Sequence, residues 1–154
     1  MRTVVLGLGN PILGDDGIGC RVVEELRRRL ADRKGGDLEI EPFHRGGIAL
    51  MERLIGHEKA ILVDSVQGLH GPPGTLVRLT LNDMPTLNVN SSHDASLKAA
   101  IEMGRKLGAE LPDEIVIFGV EIAPQSDFWE GLSPEVMRSV EPTALAVLEE
   151  LEKS

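Results

Sequence analysis

Apolar and polar residues along this chain follow two rhythms: short unbroken apolar runs, and longer stretches with an apolar residue every three or four positions. The runs are Val4-Val5-Leu6, Ala60-Ile61-Leu62-Val63 and Ile115-Val116-Ile117-Phe118-Gly119-Val120. Such runs, bounded by turn residues, are the pattern of strands buried on both faces of a sheet. They predict strands over Thr3 to Leu8, Lys59 to Val66 and Glu114 to Ile122. Leu38 to Phe43 and Leu76 to Leu81 instead alternate, which predicts strands at or near the sheet edges. No helical segment separates the second of these from the strand before it, so it is expected to run antiparallel.

The helical rhythm fills the gaps. From Gly17 to about Arg33, Ile18, Val22, Val23, Leu26 and Leu30 share one face and the charged residues mostly the other, and Gly35 and Gly36 close the segment. Ile48 to Ile55 forms a short helix. Ser91-Ser92-His93-Asp94 leads another through Leu97, Ala100, Ile101 and Leu107, with Ser92 or Asp94 as its cap and Gly108 at its end. Ser133 and Pro134 open the last helix as N-cap and first residue; it buries Val136, Met137, Val140, Leu145, Leu148 and Leu151 and is kinked or split by Pro142. Gly68 to Gly74, Asn82 to Asn90, and Pro124 to Gly131 with the single Trp129 are expected to be irregular. The order of elements specifies an α/β three-layer sandwich: a mostly parallel twisted sheet of about five strands with helices on both faces. The whole of 1–154 forms one domain, long enough for a sizeable core.

Composition narrows the function. Aromatics are 3% of the chain, so the core must be built from Val, Ile, Leu and Ala. A net charge of -9 leaves no basic stripe for phosphate contacts and argues against a nucleic-acid partner. No apolar run approaches the roughly 18 residues that suggest a membrane span, so no membrane association is expected. Cys20 is the only cysteine and no signal peptide precedes the first strand, so a cytoplasmic location is expected. Cys20 lies on the core side of its helix and is read as a small buried hydrophobe, with a nucleophilic role as the lesser alternative.

The candidate chemistry begins in the first loop. Gly7, Gly9, Asn10 and Pro11 end the first strand, and Asp15 and Asp16 follow just before the first helix. One acid suffices to cap a helix. A second, on a loop at the carboxyl end of a buried strand, stands where open α/β sheets keep their ligands. Asp64 finishes the apolar run of the third strand, Ala60-Ile61-Leu62-Val63, and a carboxylate there must be paired or hydrated; satisfying loop amides or a helix N-terminus is the structural alternative. His93 stands before a helix. Two carboxylates and an imidazole suit a divalent transition metal with positions left open for water or substrate. His44, His57 and His70 have no better individual claim.

Two other motif readings of the first loop fit less well. A dinucleotide fingerprint needs a third glycine where Ile12 stands, and the paired acids would repel a pyrophosphate. Gly7-Leu8-Gly9-Asn10-Pro11 also resembles the start of peptidyl-tRNA hydrolases, but the chain contains no tyrosine, departs at Asp15-Asp16-Gly17, and is acidic overall. A peptidyl-tRNA hydrolase-like hydrolase is kept as the lesser alternative.

A resemblance covering nearly the whole chain is to the maturation proteases of NiFe-hydrogenases. It rests on Gly9-Asn10-Pro11-Ile12-Leu13-Gly14-Asp15-Asp16-Gly17-Ile18-Gly19, Gly46-Gly47 after the second strand, Asp64, Ser92-His93, Gly119-Val120, and Leu132-Ser133-Pro134 with Pro142. The resemblance implies an endopeptidase of aspartic type that removes the C-terminal extension of a hydrogenase large-subunit precursor after nickel insertion. It implies Asp16, Asp64 and His93 as the catalytic and metal-binding residues, and Asn10, Gly46 and Gly47 as substrate contacts. Nickel would be delivered by the precursor, other divalent metals could occupy the site, and the protease would act as a monomer. A departure from the family pattern is Arg45, after His44, where the residue before the double glycine is often acidic; it bears on substrate preference. The non-proteolytic alternative is a metal-binding assembly factor using the same three residues.

Overall fold

Val4, Leu6 and Leu8 face one side of strand β1 (Thr3–Leu8) and Val5 the other, and all four are buried, as an interior strand of a two-sided sheet requires. The computed structural model describes residues 1–33, 35–68, 71–86, 97–124 and 131–153. After β1 come α1 (Ile18–Arg29), β2 (Leu38–Phe43), α2 (Gly47–Leu54), β3 (Lys59–Val66) and β4 (Leu76–Leu79). They are followed by α3 (Leu97–Lys106), β5 (Glu114–Glu121), α4 (Pro134–Met137) and α5 (Val140–Glu152). The sheet order is β2-β1-β3-β5-β4; every pairing is parallel except β4 with β5. The expected three layers are present. Leu50, Leu54, Leu97 and Ile101 of α2 and α3 pack with Val4, Leu6 and Leu62 on one face. Ile18, Val22, Leu26, Ala144 and Val147 of α1 and α5 pack with Val5, Ile61 and Val116 on the other.

The start of α1 approaches the sheet closely at Gly7 and Gly19. A Cβ on Gly7 would lie 2.1 Å from the Gly19 carbonyl oxygen, and one on Gly19 would lie 2.4 Å from the carbonyl oxygens of Leu8 and Val63. Glycine at both positions seats the start of α1 directly on the ends of β1 and β3.

Several expectations are corrected. The first helix ends at Arg29, not Arg33, because beyond Leu30 no core-facing apolar residue remains, and Arg27, Arg28 and Arg29 in its last turn suit its negative end. Leu81–Thr86 forms a 3-10 turn, held by the Asp83 carboxylate accepting the Thr80 amide at 2.9 Å and hydroxyl at 3.0 Å. The last helix splits between Met137 and Val140, which puts Pro142 in the first turn of α5, where its missing N–H costs nothing. That break resets the helical phase: Thr143, Ala144 and Val147 turn inward and Leu145 is exposed, as is Met137 at the end of α4, although both were expected to be buried. Leu107 follows the end of α3 and is exposed. Residues 125–130 of the expected irregular segment, with Trp129, and the helix lead Ser91-Ser92-His93-Asp94 lie outside the described residues.

Candidate active site at the carboxyl edge of the sheet

β1 connects through α1 to β2 on one side of it and then pairs with β3 on the other, so the strand order reverses between β1 and β3. Ligands of open α/β sheets bind beyond the strands' carboxyl ends at such a reversal. The loop after β1 carries Asp15 and Asp16 in a 3-10 turn over Gly14–Gly17 that leads into α1. Gly7 is in register with Val63, so Asp64 emerges from the neighbouring strand at the same level as the end of β1.

The structure brings Asp16 and Asp64 together around Ser65. The Ser65 hydroxyl donates to Asp16 Oδ1 at 2.7 Å, and the Ser65 amide donates to Asp64 Oδ1 at 2.8 Å. The second oxygen of Asp16, Oδ2, accepts the Asn10 amide at 2.9 Å. Asp64 is only 1% exposed and its Oδ2 has no hydrogen-bond partner among the described residues. Burial, reinforced by the Asp16 charge and opposed by the Ser65 amide, pushes the Asp64 carboxyl up to about 8. Asp64 lies inside β3, two residues before its end, rather than terminating it.

An orphaned buried oxygen beside a second carboxylate is a donor set that fits a divalent cation, whose charge would offset both burial and repulsion. Asp16 and Asp64 would hold such an ion. Among the described residues no group of three His, Cys, Asp or Glu side chains is gathered to complete a metal shell. His93, the third ligand implied by the sequence, lies outside the described residues.

Asp15 has a different task from its neighbour. Its carboxylate is 3% exposed and accepts the Ser133 amide at 2.6 Å and the Ser133 hydroxyl at 2.8 Å. Neither acid makes a side-chain cap on α1, and Ser133, placed as the N-cap of α4, gives its hydroxyl to Asp15 instead. Asn10 turns its Oδ1 back to the Ile12 amide at 3.1 Å, shaping the loop it was expected to present to substrate. Gly46 precedes α2 with an extended backbone, and Gly47 begins that helix with φ 53°.

Cys20 is 7% exposed, its sulfur 3.9 Å and 3.8 Å from the Gly7 and Gly9 carbonyl oxygens. Burial first, then the charges of Asp16, Glu24 and Asp64, pushes its thiol up to about 11, which leaves almost no thiolate for nucleophilic chemistry near neutrality. Cys20 also lines a cleft of about 110 Å³, together with Pro11, Gly14, Gly17, Arg21, Glu24 and Leu132. Sequence reasoning missed Ser65 as the bridge between the two acids and Ser133 as the partner of Asp15. Ser65 had one available signal, its place directly after Asp64 at the end of a buried run.

A family model described as hydrogenase maturation protease matches residues 20–150. The hydrogenase 2 maturation protease of Escherichia coli strain K12 is 32% identical over 158 aligned positions, covering 100% of this chain and 93% of that protein. Among solved structures, the hydrogenase maturating endopeptidase HybD from E. coli superposes with a TM-score of 0.81 at 30% identity, over 99% of this chain and 93% of the other. The NiFe hydrogenase maturation protease HycI from Thermococcus kodakarensis KOD1 shares the fold, with a TM-score of 0.70 at 23% identity over 98% and 92% of the two chains. No helix among the described residues is long and apolar enough to cross a membrane.

Proposed function

The chain belongs to the hydrogenase maturation protease family, and on that premise we propose that it removes the C-terminal extension of a NiFe-hydrogenase large-subunit precursor after nickel insertion. The observation that carries the reading is the Asp64 Oδ2, unpartnered among the described residues and beside Asp16, at the reversal of strand order where such sheets bind ligands. Two carboxylates meeting in a largely buried site attract a cation strongly, yet the chain has a single, buried cysteine and lacks the thiolate set that would retain nickel. Nickel is therefore part of the substrate, carried in by the precursor.

In this reading Asp16 and Asp64 present oxygens to the incoming nickel centre, with His93 as the third donor. That ion would polarise the scissile carbonyl or lower the pKa of a water beside it. Ser65 and the Asn10 amide hold the Asp16 carboxylate in place before the precursor arrives, so little reorganisation remains at the moment of reaction. Asn10 and the Gly46-Gly47 turn border the extension, and the cleft between Gly14 and Leu132 receives a small apolar side chain from it. The protease works as a monomer in the cytoplasm.

The test is the size of the precursor before and after incubation. Wild type is expected to shorten nickel-loaded precursor, while Asp16→Asn and Asp64→Asn, folded by circular dichroism, lose at least about 100-fold in rate. Unchanged cutting by either variant would remove that residue from the reacting centre. Binding of the precursor without any shortening would support an assembly factor instead.

A further inference from the structure

The Gly9–Asn10 peptide is held from both ends. Its N–H, on Asn10, donates to Asp16 Oδ2 at 2.9 Å, and its C=O, on Gly9, accepts from Nδ1 of His44 at 2.7 Å. A carbonyl has no proton to give, so His44 Nδ1 carries the hydrogen in this contact. The arrangement follows from strand register. Leu8 is paired with Phe43 across β1 and β2, so Gly9 and His44 are the next residues on the two chains as they leave the sheet. There the imidazole takes over the carbonyl that a continuing ladder would have bonded. Gly9 is fixed in a conformation with φ 112°, and a Cβ on it would lie 2.1 Å from the Asp16 carbonyl oxygen. The peptide is thus wedged between the imidazole and the turn that bears Asp16, with the Cys20 sulfur 3.9 Å from Nδ1 beneath it.

We propose that His44 is a positioning residue for Asp16, acting through the Gly9–Asn10 peptide. Donation to the carbonyl polarises the peptide and strengthens its N–H as a donor, and the two hydrogen bonds reinforce one another. Together they fix the plane of that peptide and, through it, the rotation of the Asp16 carboxylate toward Ser65 and the Asp64 side of the site. Partners of this kind behind a ligand typically matter by 10–100-fold. The proposal rests on Asp16 belonging to the reacting centre as read above, but the structural link can be measured without any substrate.

The experiment uses the full chain, 15N-labelled, as wild type and as His44→Ala, His44→Asn and His44→Gln. An asparagine amide nitrogen replaces Nδ1, whereas a glutamine amide nitrogen replaces Nε2. His44 is exposed, so the fold should survive, and the remainder of each spectrum reports that it has. In His44→Ala and His44→Gln the Asn10 amide proton is expected to move upfield and exchange faster, and kcat on nickel-loaded precursor to fall about 10–100-fold with KM changing much less. His44→Asn is expected to restore both. An Asn10 resonance that stays put in His44→Ala would overturn the proposal, as would a shifted resonance with unchanged kcat. Rescue by glutamine rather than asparagine would transfer the role to Nε2 and overturn it equally. If wild type cuts no precursor, the protease reading fails, while the Asn10 resonance still decides whether His44 governs the peptide.

Discussion

Asp15 grips Ser133 with both carboxylate oxygens, one on the amide at 2.6 Å and one on the hydroxyl at 2.8 Å, across 118 residues of sequence. The contact ties the loop after β1 to the segment entering α4, and it separates the roles of two adjacent acids. Asp15→Ala is expected to cost about 3 kcal/mol, since two hydrogen bonds to a buried charge are lost and the Ser133 donors are left without them. Urea denaturation checks this. Wild-type stability in Asp15→Ala would show that the clamp is incidental.

Asp64 should behave in the opposite sense. Its carboxyl is raised from 3.8 to about 8 by burial and by Asp16, so its contribution is fully present below pH 4 and is lost as pH rises through about 8. Asp64→Asn removes the need to ionise in a buried place. In chelator at pH 9 the variant is expected to be more stable than wild type by a few kcal/mol, with the difference shrinking toward pH 4. Urea midpoints at pH 4.5, 7 and 9 measure it. A variant less stable than wild type at pH 9 would contradict this account of the site.

Cys20 gives a third outcome. With a thiol near 11 and 7% exposure, it should react with iodoacetamide at pH 8 far more slowly than a free thiol. Cys20→Ala should retain cleavage and lose on the order of 1 kcal/mol of stability. An inactive but folded variant would return the thiol to the chemistry.

What was legible in the sequence followed the strength of local pattern. Ala60-Ile61-Leu62-Val63 and Ile115 to Val120 read as central strands, the alternation within Leu76 to Leu81 marked an edge strand, and the lack of a helix before it marked its antiparallel direction. Acids closing the first loop and the third strand's apolar run pointed to Asp16 and Asp64, which meet around Ser65 at the reversal between β1 and β3, although Asp64 lies within β3 and not on a loop. Contacts between distant segments left no local trace. Ser133 looked like an N-cap because a serine before a proline usually is one; only the fold reveals that Asp15 claims its hydroxyl. His44 looked like any loop histidine until the β1–β2 register set it beside Gly9. Pro142 signalled a break in the last helix, but the chain breaks before it, since proline is accommodated in a first turn.

The central claim is that nickel arrives with the substrate and licenses a single cut near its C-terminus. Asp16 and Asp64 together supply only oxygens, one of them buried and unpartnered among the described residues, and the sole cysteine stands protonated and buried. Mass spectrometry of purified precursor, incubated with this protein with and without nickel loading, tests it most directly. One product shortened by a C-terminal peptide is expected from the loaded precursor, and an unchanged mass from the nickel-free one. Efficient cutting of the nickel-free precursor would contradict the claim.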